Sequence, residues 1–204
     1  MLNQIKFGLL WILTPVQKVM QRLGRSETIM TKAMADKIVS LVEEGDILLS
    51  FEHQRLTSIF IKGKYDHAAI LTNKMTVMEA VGSGVKEVDL IEWLYKKDHV
   101  AVIRPIYDHE LLNKSYKEIN KLAALNAFKY KGYPYDYQFT IANEKIYCSE
   151  LVYLCYQSED PHFLEHIHGE ILPQEYMNLT KGYRREDMCF VCIINTMDKQ
   201  DQLS

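Results

Sequence analysis

Three residues far apart in the chain have the types needed for thiol chemistry. Cys148 sits in KIYCSELVYLCY (145–156), just ahead of Leu151, Val152, Leu154 and Cys155. That spacing predicts a helix over 148–157 that opens at the cysteine. A helix N-terminus carries about half a positive charge and lowers a thiol's pKa. Its outward N–H groups can also hold an oxyanion. Cys148 is thus equipped as a nucleophile; without a base it reads as a small buried hydrophobe. Of seven histidines, His67 is the best-placed base, because it opens the strand-like HAAIL, rich in small and aliphatic residues. An imidazole at a strand edge, on a sheet packed against the Cys148 helix, is what a thiolate–imidazolium pair requires. The third member must orient the imidazole. Glu79 lies in the apolar run VMEAV (77–81), where a carboxylate needs a partner.

The register of the hairpin that joins these two strands decides whether Glu79 qualifies. A two-residue turn at Asn73-Lys74 sets His67 opposite Ala80 and turns Glu79 away. A three-residue loop from Thr72 to Lys74 sets His67 opposite Glu79 on one face. The triad therefore predicts an odd-length loop. Asp66, next to His67, points to the other face. Tyr133, Tyr135 and Ser149 are candidates for the second oxyanion donor or the pocket lining; for a chain with 13 tyrosines, loop packing is an equal account of the first two.

Other motifs compete. HFLEH (162–166) matches the inverted zinc motif, with His162 and His166 on one helix face and Glu165 as base. Pro161 and Gly169 leave barely two turns for it, and a third ligand would have to come from elsewhere. No metal or other cofactor is therefore assigned. CFVC (189–192) resembles a redox pair but lies in an apolar strand-like run, which favours packing. Cys148 and Cys155, seven apart on a helix, stand about 10 Å apart, beyond disulfide reach. The four cysteines read as free thiols.

The elements that must position these residues follow from patterning. The chain has 204 residues, 48% hydrophobic and 25% charged, with net charge −3. This is an ordinary composition with no basic footprint for nucleic acid. Helices are predicted over 31–43, 55–63, 108–129 and 148–157, with a capping box at Asp89–Glu92 opening one through Tyr95. Strands are predicted at 47–51, on both arms of the hairpin, at 85–88, 100–106 and 188–195. The class is α+β, helices packed on a small, mostly antiparallel sheet. Residues 1–26 carry Lys6, Lys18, Arg22 and Arg25, no acid, and a helical apolar stripe bent at Pro15. This segment suits a membrane surface, a helix packed on the domain or, less well, a secretory signal. Its uncharged run is too short to span a bilayer. The division is 1–43, an amphipathic helical segment, and 44–204, the catalytic domain. A cytoplasmic or membrane-associated location is favoured over a secreted one.

GDILL (45–49), YDHAAI (65–70), MEAVGSGV (78–85) and YCSELV (147–152), with GYPYDYQF just before the last, occur in that order. Together they resemble the circularly permuted branch of the NlpC-type papain-like cysteine hydrolases, the YiiX/YaeF-like group, related to the lecithin–retinol acyltransferase-like proteins. The resemblance spans about 44–160. It implies a permuted papain-like fold with His67 as base, Glu79 as its orienting residue and Cys148 as nucleophile. The implied activity is a thiol hydrolase of amidase or peptidase type on a small peptide, N-acyl or lipid substrate. Lipid acyl transfer or ester hydrolysis through the same residues, and a catalytically idle membrane-associated binding protein, are the alternatives.

Overall fold

A computed structural model describes residues 29–52, 64–108, 114–140, 144–165, 169–182, 184–185 and 187–197. The segment 1–26 and the helix predicted over 55–63 lie outside them. The chain order is helix α1 (Lys32–Leu41), β1 (Ile47–Phe51), β2 (His67–Asn73), β3 (Thr76–Val81), β4 (Gly84–Asp89) and α2 (Leu90–Leu94). There follow β5 (His99–Tyr107), α3 (Tyr116–Asn126) with a 3-10 turn at Ala127–Tyr130, α4 (Cys148–Gln157), α5 (Pro173–Leu179), β6 (Arg184–Arg185) and β7 (Met188–Asn195). The strands form one antiparallel sheet in the order β4-β3-β2-β1-β5-β7-β6. The fold is α+β, as the patterning implied.

The central strands read as apolar runs rather than alternating ones because both faces of the sheet are covered. Ile47, Leu49, Ala68, Ile70, Met78 and Ala80 pack with Ile119 and Ala123 of α3 and with Leu151, Val152 and Cys155 of α4. Leu48, Ala69, Leu71 and Val77 pack on the other face with Ile38 of α1 and with Leu90 and Trp93 of α2. The molecule is thus three layers, with β2 between two cores. Leu151 is fully buried. Truncating it to alanine is expected to cost about 2–5 kcal/mol.

Local signals set the element ends. Thr31 caps α1 by accepting from the Met34 N–H, and Asp89 caps α2 by accepting from the Glu92 N–H at 3.0 Å. The helix predicted from 108 is shorter. It starts at Tyr116, where Ser115 and Glu118 form a reciprocal capping box, and β5 runs on to Tyr107. Leu111 and Leu112 of the helix predicted over 108–129 fall among residues 109–113, which are not described. Helix α5 was not anticipated; Pro173 opens it, at the helix start where a missing N–H is harmless.

Buried charge fastens the start of β1. Arg104 on β5 grips Asp46 through Nε and Nη2, both at 2.7 Å, and Asp46 also accepts from the Glu43 N–H. Burial pushes the Asp46 carboxyl up, against the opposing pull of the Arg104 fork. Gly45 adopts φ +85, and a Cβ there would lie 2.3 Å from the Asn120 carbonyl oxygen. A glycine is required by both the conformation and the close approach of α3.

Candidate active site

The hairpin β2–β3 forms neither predicted register. Its turn is two residues, Lys74-Met75, rather than an odd-length loop, and Thr72 makes a bulge between Leu71 and Asn73. The Thr72 hydroxyl bonds the carbonyl and the hydroxyl of Thr76, which satisfies the bulged residue. Beyond the bulge Leu71 pairs with Val77, Ile70 with Met78 and Ala69 with Glu79. Ala69, not His67, stands opposite Glu79. The extra residue nonetheless restores the parity, so His67 and Glu79 lie on the same face as diagonal neighbours, within reach of two long side chains.

They meet: His67 Nε2 is 2.9 Å from Glu79 Oε2, with both residues buried (2% and 6% exposed). The Trp93 indole N–H donates to the same oxygen at 2.9 Å. Lys86, directly across on β4, brings its ammonium to 3.6 Å from Oε1. Burial alone would raise the Glu79 carboxyl. The hydrogen bond and charge of His67, the charge of Lys97 and the indole donor outweigh it and hold Glu79 well below the usual carboxylate range. An ionised carboxylate only accepts, so Nε2 carries the proton. Trp93, Lys86 and Lys97 were not singled out from the sequence. The available signal was Trp93 itself, on the inner side of the capped helix that directly follows β4.

Cys148 is the first residue of α4 and is buried. Helix α4 and strand β2 run in the same direction. Near the end of α4 the Tyr156 hydroxyl donates to the Gly45 carbonyl at 2.6 Å, and the Gly45 N–H donates to the carbonyl of Leu71, late in β2. From Tyr156 back to Cys148 is about 12 Å of helix, and from Leu71 back to His67 about 13 Å of strand. Cys148 therefore stands toward the His67 end of the sheet. The two arrive from different sides. Helix α4 covers the Ala68 and Ile70 face, whereas alternation sends His67 with Ala69 to the Trp93 face.

The remaining candidates have definite places. The Ser149 hydroxyl donates to the Ile171 carbonyl at 2.6 Å, tying α4 to the segment before α5. Tyr133 is half-exposed, and its carbonyl accepts from the Val85 N–H; Tyr135 bridges to Ile146 and stacks edgewise on Tyr137. Gly84, at φ +102, lets that tyrosine-rich loop approach β4; a Cβ there would sit 2.7 Å from the Tyr133 carbonyl oxygen. Cys155 is fully buried, and burial pushes its thiol far above the ordinary range. All four cysteines are free thiols. Cys189 and Cys192 lie within β7. Residues 161–165 form turns rather than the helix that a zinc reading of HFLEH needs, and Leu164 at φ 57 breaks helical geometry there. His162 instead meets Glu165 at 2.7 Å on the surface; His166 lies outside the described residues. Among the described residues no helix is long and apolar enough to cross a membrane, and no group of three His, Cys, Asp or Glu side chains is arranged to hold a metal.

A family model described as a permuted papain-like amidase enzyme, of the YaeF/YiiX group and C92 family, matches residues 41–168. Among solved structures, the metalloprotein YiiX of Escherichia coli O157:H7 aligns at 24% identity with a TM-score of 0.47, covering 79% of this chain and 91% of that one. No curated protein matches the chain.

Proposed function

Because the chain belongs to the permuted papain-like amidase family, we propose that it cleaves an amide through an acyl-enzyme on Cys148, with His67 as base and Glu79 as the residue that orients it. The observation that carries this reading is the buried His67–Glu79 hydrogen bond. A carboxylate kept ionised in a core is costly to bury unless paired, and a perturbed buried acid held on an imidazole is the pattern that marks a functional site. With Nε2 committed to Glu79, Nδ1 is the nitrogen that serves the thiol.

In the first step Nδ1 takes the Sγ proton, and the thiolate adds to the amide carbonyl carbon. The resulting oxyanion is held by the outward N–H groups of the first turn of α4, that of Cys148 among them. His67 then gives its proton to the amide nitrogen, the C–N bond breaks, and the amine leaves a thioester on Cys148. Water, giving a proton to His67, adds to the thioester and releases the acid, and the thiol recovers its proton from His67. Throughout, Glu79 stays ionised and keeps the ring in one tautomer.

Labelling by a thiol-reactive acyl probe tests the assignment. Cys148→Ala is expected to abolish it and Cys155→Ala to leave it intact. Equal labelling of the two variants would sink Cys148 as nucleophile. A Cys148 alkylation rate indifferent to His67→Ala would remove His67 from its role.

A further inference from the structure

Resting on the reading of His67 as base, one more residue acquires a part. Two N–H donors converge on a single carboxylate oxygen: His67 Nε2 and Trp93 Nε1 each lie 2.9 Å from Glu79 Oε2, while Oε1 faces Lys86 at 3.6 Å. An oxygen held from two directions, with its twin facing a cation, leaves the carboxylate no low-energy swing. We propose that Trp93 is a positioning residue, its indole N–H fixing Glu79 so that Glu79 fixes the His67 ring with Nδ1 presented to the thiol.

Trp93 is itself held from several sides. Its helix starts on the Asp89 cap, and the Leu90 N–H donates to the Met75 carbonyl at 2.7 Å, which anchors α2 to the β2–β3 turn. The ring is buried in the cluster of Ala69, Leu71 and Val77. The Lys97 ammonium lies 4.8 Å from the ring centroid and pairs with Glu52. The His67 and Trp93 rings are 6.5 Å apart. Support therefore passes inward from Lys97 to Trp93, to Glu79 and to His67. Packing alone would need only the ring; the N–H is what a positioning role adds.

Trp93→Phe keeps an aromatic ring in the core and deletes the donor. The first readout is the downfield proton of His67 Nε2–H, identified by its absence in His67→Ala. In Trp93→Phe this signal is expected to broaden into exchange with water or to shift. The second is the rate of Cys148 alkylation by iodoacetamide, expected to fall roughly tenfold to a hundredfold, the scale of one hydrogen bond to a charged group. A folded Trp93→Phe with a sharp, unshifted proton and wild-type alkylation overturns the proposal. If that variant does not fold, tryptophan at 93 is replaced by its benzothiophene analogue, which keeps the shape and lacks the N–H, and the same outcomes decide. The proton signal decides whether or not Cys148 proves nucleophilic. Alkylation that ignores His67→Ala counts against the catalytic reading, while a proton lost without the indole donor still upholds its hold on Glu79.

Discussion

Two buried carboxylates, Asp46 and Glu79, sit at different places in this sheet and are held by different kinds of partner. Asp46 is gripped by the bidentate fork of Arg104, whose guanidinium also donates to the Leu41 carbonyl and pairs with Glu43. Glu79 is gripped by an imidazole and an indole, with ammonium groups at a greater distance. Both arrangements offset the cost of burying an acid. Arginine cannot give up its proton in a protein, so the first is a clamp that joins β1, β5 and the end of α1. Histidine can, so the second can take part in proton transfer. Burial and charge are alike in the two places; the partner's ability to titrate is what separates a strut from a site.

Three experiments would sharpen or break that contrast. The largest effect is expected from Glu79→Gln. Its amide keeps one acceptor oxygen but loses the charge that stabilises an imidazolium, and in the orientation that turns NH2 toward the ring it selects the wrong tautomer, so turnover on an amide, or acyl-probe labelling, should fall by roughly 10³-fold or more while the protein stays folded. Labelling at the wild-type rate would reduce Glu79 to a second strut. Next, Arg104→Met should leave Asp46 buried and uncompensated, at a cost of about 3–5 kcal/mol in urea denaturation. The rate per folded molecule should hardly change, and a comparable loss of rate would mean that the clamp also shapes the site. The smallest effect is in acid. Because the Glu79 carboxyl is held below the ordinary glutamate value of 4.5 when folded, its contribution to stability is fully present above about that pH and is lost as pH falls through the lowered folded value. For Asp46, where burial raises the carboxyl, the sign is opposite. Wild type should therefore lose stability faster than Glu79→Gln below pH 4.5, and parallel curves would show that Glu79 is not the depressed acid.

Much of the scaffold was legible because its signals are local. The helix at 148–157 and the strand at 188–195 coincide with α4 and β7, since a run of apolar residues at one period needs no distant information. The capping pair Asp89–Glu92 likewise located the start of α2. Where the patterning overshoots, a nearer signal overrides it: Ser115 and Glu118 start the helix that apolar spacing alone extends back to 108. The hairpin was the hardest local feature. A loop of two residues and a loop of three were both consistent with Asn73 and Lys74, but the chain places its extra residue at Thr72, inside the strand. A bulge changes register without any turn residue to announce it.

By its own residues the sequence determined three things: a cysteine at the head of an apolar helix, a histidine at the head of a strand, and an acid stranded in an apolar run that had to find a partner. These depend on period, capping and the cost of burying charge, which act over a few residues. Tertiary structure alone decided which partners those groups found. Arg104 reaches Asp46 across 58 positions and Trp93 reaches Glu79 across 14. Such pairs depend on strand order, on the bulge at Thr72 and on which helix covers which face. The hydrogen bonds that select them are worth little in water and much in a closed core, so they take effect only once the three layers have assembled.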